Sequence, residues 1–144
     1  MKDEYSKNEL SVEEWLKKAY YDELYAISLL KHRDAPANGV CFATQQMAEK
    51  LLKTYLVYKQ KSFPKIHHLD ILLEMCCEND PSLIEVKQDA IFLSEFYITT
   101  RYPGDFPEFS WQEAEKAFDA ATRIKECILN KIPFDIDYDQ WYKK

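Results

Sequence analysis

A chain of 144 residues with 47% hydrophobic and 31% charged residues has the balance of one globular domain rather than a disordered segment. Only two glycines are present, which argues against an all-β fold with its frequent Gly-rich turns and favours long helices with few connections. The net charge of −6 repels phosphate backbones at long range and argues against a general nucleic-acid coating protein, although a local basic pocket stays compatible with it.

Ser11-Val12-Glu13-Glu14 has the form of a capping box and opens a first helix that should run to about His32. Trp15, Ala19, Ala26, Leu29 and Leu30 recur on one of its faces, and Asp22 and Arg33 intrude there as polar residues. Asp34-Ala35-Pro36 ends it. A second helix is expected from Asn38-Gly39 to about Lys59, with Cys41, Ala48, Leu52, Tyr55 and Leu56 as the inner stripe. Gln45 lies inside that stripe, Glu49 at its margin, and Gln46 and Lys50 point away from it. Phe63-Pro64 breaks the chain, and a shorter helix from about Ile66 to Glu78 carries Leu69, Leu72, Leu73 and Cys76.

Asp80-Pro81 is a restart signal, because Asp caps and Pro is favoured at the first helical position. The fourth helix should span about Pro81 to Thr100, with Leu83, Ala90, Ser94, Tyr97 and Ile98 on one face and Arg101 on its continuation. Tyr102-Pro103-Gly104-Asp105 reads as a turn. Ser110-Trp111-Gln112-Glu113 repeats the capping-box form and opens a fifth helix to about Lys131, buried through Trp111, Ala114, Phe118, Ala121, Ile128 and Leu129. Residues 134–144 form an acidic, aromatic tail without periodicity, expected to be loosely held. The expectation is a single all-α domain over residues 1–144, an antiparallel up-and-down bundle of four to five helices with a core of about residues 11–131.

Cys41, Cys76, Cys77 and Cys127 lack the spacing of a zinc site and read as reduced thiols on apolar helix faces. His67-His68, taken as neighbours on a helix, diverge by about 100° and are poorly placed to share a metal, so neither metal nor cofactor is expected. Gly-rich phosphate loops and the common metalloprotease and hydrolase motifs are absent. The run from Lys50 to Lys61, with tyrosines between its lysines, reads as a solvated helix face or a phosphate contact. The charged start of the chain lacks the apolar run of a secretory leader, and no stretch approaches the ~20 apolar residues of a membrane span. The expected address is the cytoplasm.

Asp22, Gln45, Arg33 and Arg101 are therefore the informative exceptions. A charge on an apolar face must be paired or must face a solvated cleft, because burying it alone costs several kcal/mol. Two readings stay open, a polar network that sets helix register and a cleft that faces a ligand.

The run from Gly39 to Lys53, GVCFATQQMAEKLLK, resembles the second helix of HEPN domains. Phe63-Pro64-Lys65-Ile66-His67-His68-Leu69 and Tyr97-Ile98-Thr99-Thr100-Arg101-Tyr102-Pro103-Gly104 resemble two further segments of that family, and Trp15, Ala19 and Asp22 fit its first helix. The resemblance covers about residues 12 to 130. It implies a homodimeric prokaryotic helical bundle, often encoded beside a minimal nucleotidyltransferase in toxin–antitoxin-like systems. Some members are metal-independent ribonucleases whose signature is an arginine followed, after four to six residues, by a histidine.

Arg101 matches that arginine, but the positions for the histidine hold Phe106, Pro107 and Glu108, and no histidine follows Arg101 at all. Ala43 stands where the second helix of the family often carries another histidine. An imidazole is the side chain suited to moving a 2′-hydroxyl proton near neutral pH, so the resemblance points instead to a non-catalytic domain. Its expected role is to bind a nucleotide or RNA-like ligand, as a homodimer or as partner of a minimal nucleotidyltransferase, away from any membrane. Arg101 would hold a phosphate, Tyr102 would stack on a base, and Asp22, Gln45 and Lys53 would face the same cleft. One alternative is a ribonuclease whose base comes from Asp105, His67 or His68. The other is an interaction module that docks a partner through its tyrosines with Trp111 or Trp141.

Overall fold

The computed structural model describes residues 10–99 and 108–133, and the regular elements within them are all helices. Helix α1 spans Val12–His32, α2 Asn38–Tyr58, α3 Leu69–Asn79, α4 Lys87–Thr99 and α5 Trp111–Leu129. Together they form an antiparallel up-and-down bundle.

All three N-caps anticipated from sequence are formed, but of the two expected capping boxes only the one at Ser110 is reciprocal. Ser11 accepts from the Glu14 amide at 3.1 Å, and Ser110 and Glu113 form a reciprocal capping box. Asp80 accepts from the Ser82 amide at 3.0 Å. Helix α1 closes on Arg33 in the left-handed region (φ 49), with the Arg33 amide donating to the Leu29 carbonyl at 2.8 Å.

Helix α2 is the axle of the bundle and packs on all four other helices. The expected single inner stripe is too narrow: Val40, Cys41, Ala43, Met47, Ala48, Leu51, Leu52, Tyr55 and Leu56 are all buried, on most of the helix circumference. Fully burying a side chain of Leu size contributes roughly 1.5–3 kcal/mol, so α2 supplies much of the packing energy. Lys50 does not point away from the bundle as expected, but reaches α1.

Two helix starts differ from the sequence reading. The third helix begins at Leu69, not near Ile66, because residues 66–68 run outside helical geometry and His68 at the N-cap is extended. No side chain of its own segment caps α3. Instead the Leu69 amide donates to Ser94 Oγ of α4 at 3.0 Å, a tertiary substitute for a cap. The expected continuous fourth helix starts as a 3₁₀ segment, Pro81–Val86, and becomes α-helical only at Lys87.

Salt bridges tie the outer helices together. Arg123 of α5 donates two hydrogen bonds to the Asp89 carboxylate of α4, at 3.0 and 2.8 Å. Lys125 of α5 reaches both oxygens of the buried Glu23 of α1 at 2.9 Å. Arg33 lies over the Trp111 ring at 4.8 Å and pairs with Glu115 at 2.6 Å, clamping the end of α1 to the start of α5. Two of the intruding residues, Arg33 and Asp22, are thus paired within the bundle.

Candidate functional site

Gln45, Glu49 and Lys53 stand four residues apart and form one polar ridge along the buried surface of α2. All three are buried, so each polar atom needs a partner. Lys53 Nζ donates to Glu49 Oε2 at 3.0 Å, and its ammonium lies 5.8 Å from the Trp15 ring centre and 5.7 Å from that of Phe63. A carboxylate and two aromatic rings together replace the water this cation loses.

The other Glu49 oxygen leaves the helix. Oε1 accepts from Nδ1 of His67 at 2.7 Å, on the connection between α2 and α3. A carboxylate only accepts, so the proton sits on Nδ1. Gln45 secures the same residue by its backbone, its Nε2 donating to the His67 carbonyl at 3.2 Å, while Gln46 Nε2 donates to Gln45 Oε1 at 2.6 Å. The imidazole lies flat on Tyr97 of α4, with ring centres 4.4 Å apart and planes 21° apart. A side-chain hydrogen bond, a backbone contact and stacking therefore converge on one histidine whose side chain is still 42% exposed.

Beside this cluster, Asp22 of α1 accepts from Lys50 Nζ at 2.5 Å. Burial pushes the Asp22 carboxyl above its ordinary value, and the hydrogen bond and charge of Lys50 pull it back. Burial also raises the thiols, Cys41 to about 12, which leaves it protonated and poorly nucleophilic at neutral pH.

Three of the five residues singled out from sequence, Asp22, Gln45 and Lys53, thus belong to one polar region around Glu49. The other two, Arg101 and Tyr102, lie outside the described residues, as do Asp105, Trp141 and the 134–144 tail. Glu49 and His67 are the residues that sequence reasoning missed as a pair. The four-residue spacing of Gln45, Glu49 and Lys53 was the available signal, whereas nothing local announces a contact from position 49 to position 67. The basic run from Lys50 is likewise not a uniform solvated face, because Lys53 is buried and Lys50 is paired.

A family model, the HEPN domain, matches residues 12–132. The chain belongs to the HEPN domain family. Two solved structures resemble it in fold and sequence. The protein TT1696 from Thermus thermophilus is 28% identical, with a TM-score of 0.74 over 84% of this chain and 98% of its own. The protein ST0689, described as an archaeal HEPN homologue, is 26% identical, with a TM-score of 0.69 over 85% of this chain and 98% of its own. No curated protein matches the sequence. Among the described residues of this HEPN domain, no helix is long and apolar enough to cross a membrane.

Proposed function

We propose that this HEPN domain binds a nucleotide or RNA-like ligand at the His67–Tyr97 end of the polar cluster, without cleaving it. The observation that carries the reading is the immobilised imidazole, fixed through Nδ1 by a buried carboxylate yet partly open to solvent. Holding an exposed side chain in one pose costs conformational entropy, and a site that meets a ligand recovers it as pre-organisation. Tyr97 precedes Arg101 by four residues, and Arg101 is the proposed phosphate contact. Lys53 and Glu49 then support the site from below, and Asp22 holds Lys50 at its flank.

Titration calorimetry of the purified chain with AMP, ATP and a short single-stranded RNA tests the proposal. Binding that weakens at least tenfold in Arg101→Ala is the expected result. The reading fails if no nucleotide or RNA binds and Arg101→Ala alters only thermal stability. Homodimerisation and partnership with a minimal nucleotidyltransferase belong to the same proposal through family membership. Sedimentation and co-expression with such a partner check them.

His67 also supports a second reading, a ribonuclease whose base comes from the α2–α3 connection rather than from the position after Arg101. With the proton on Nδ1, Nε2 of the neutral ring is an acceptor, and it has no hydrogen-bond partner among the described residues. Cleavage of bulk RNA or tRNA that disappears in both Arg101→Ala and His67→Ala would replace the binding reading with this one.

A further inference from the structure

Resting on the binding reading above, we infer that the ring of His67 is the seat of an unpaired nucleobase, which extends the Tyr97–His67 stack by one layer. One face of the imidazole lies on Tyr97. No other aromatic ring contacts His67 among the described residues, and the side chain retains 42% of its exposure. A flat ring presented this way suits the π-face of a base, which every base possesses, and stacking of this kind tolerates sequence.

Rigidity distinguishes this ring from an ordinary surface histidine. Glu49 holds Nδ1, Lys53 holds Glu49, Gln45 holds the His67 carbonyl and Ser94 holds the amide two residues on. The plane of the imidazole is set before any ligand arrives. Its Nε2 lies in that plane at the edge of the stack, where a ribose hydroxyl of a stacked nucleotide can donate to it. The ligand class that follows is a nucleoside phosphate or an unpaired RNA residue. A bare phosphate or a base-paired duplex offers no free base for the ring.

The test compares AMP, ribose 5-phosphate and a single-stranded oligoadenylate on the full chain by calorimetry, with His67→Ala and His67→Phe beside wild type. AMP should bind wild type at least tenfold more tightly than ribose 5-phosphate, the scale of one base–aromatic stack. That preference should collapse in His67→Ala and persist within a few fold in His67→Phe, which keeps the flat ring without the Glu49 bond. Tighter binding of the oligoadenylate than of AMP identifies a strand as the natural source of the base, and equal binding identifies a mononucleotide. The inference is overturned if ribose 5-phosphate binds wild type as well as AMP does, or if His67→Ala keeps the preference. Those results leave nucleotide binding itself standing, whereas failure of all three ligands to bind wild type removes both. The ribose 5-phosphate comparison needs only wild-type protein, so it decides the matter even where a variant is unstable.

Discussion

Glu49 divides its carboxylate between two partners, Lys53 one turn along its own helix at 3.0 Å and His67 beyond the end of that helix at 2.7 Å. The side chains of Glu49 and Lys53 are 5% and 9% exposed, so the pair works where water cannot replace either member.

Removing one partner should therefore cost more than removing both. Glu49→Ala leaves the Lys53 ammonium buried and unpaired, an expected loss of about 3–5 kcal/mol. The double variant Glu49→Leu with Lys53→Met restores an apolar interior and should recover most of that loss. Urea unfolding of the singles and the double measures both, and equal losses in single and double variants would contradict the assigned roles.

Arg33 combines a left-handed backbone with a side chain that bridges α1 and α5. Arg33→Ala loses the ring and carboxylate contacts and keeps the unfavourable backbone, at an expected cost of about 1 kcal/mol. Arg33→Gly loses the same contacts but relieves the backbone by roughly 1 kcal/mol, so it should be close to neutral. A higher melting temperature for Gly than for Ala is the result that checks this.

Asp80 supplies the pH dependence with a definite sign. Hydrogen bonds from Ser82, and then from Lys131, hold its carboxyl down from an ordinary 3.8 to about 2. The unfolded chain takes up this proton first on acidification. The stabilisation is thus full above 3.8 and drains away as pH falls towards about 2. Asp80→Asn, which can still cap the 3₁₀ segment, should flatten the stability profile in that window and nowhere above it. Urea unfolding of both proteins across the acid range measures the difference.

The two capping serines should differ in value. Ser110 both accepts from the Glu113 amide at 3.0 Å and has its own amide bound by Glu113 Oε1 at 3.1 Å. Ser11 accepts from the Glu14 amide alone at 3.1 Å. Alanine at position 110 should cost about 1–2 kcal/mol and at position 11 about 0.5–1 kcal/mol. Chemical denaturation of each variant provides the comparison.

Helix boundaries are legible wherever a local signal governs them. Ser11, Asp80-Pro81 and Ser110 announce three starts, because a cap is a contact between residues two or three apart. The start of α3 falls about three residues later than the sequence suggests, for the opposite reason. Its cap is Ser94, twenty-five positions away, and His67 is drawn out of helical geometry towards Glu49. The breadth of burial around α2 is equally illegible. Periodicity reports how many faces of a helix are apolar, but only the packing of four neighbours reveals that its polar ridge is inside as well.

By itself the sequence determined the helical class, most helix limits and the presence of polar residues on apolar faces. Helix caps and hydrophobic period are short-range properties, written within a few residues of where they act. Tertiary structure alone decided which polar groups meet: Asp22 with Lys50, Glu23 with Lys125, and Glu49 with His67. Those pairs join residues 18 to 102 positions apart, and their energy arises from exclusion of water by the assembled bundle, which no local pattern encodes.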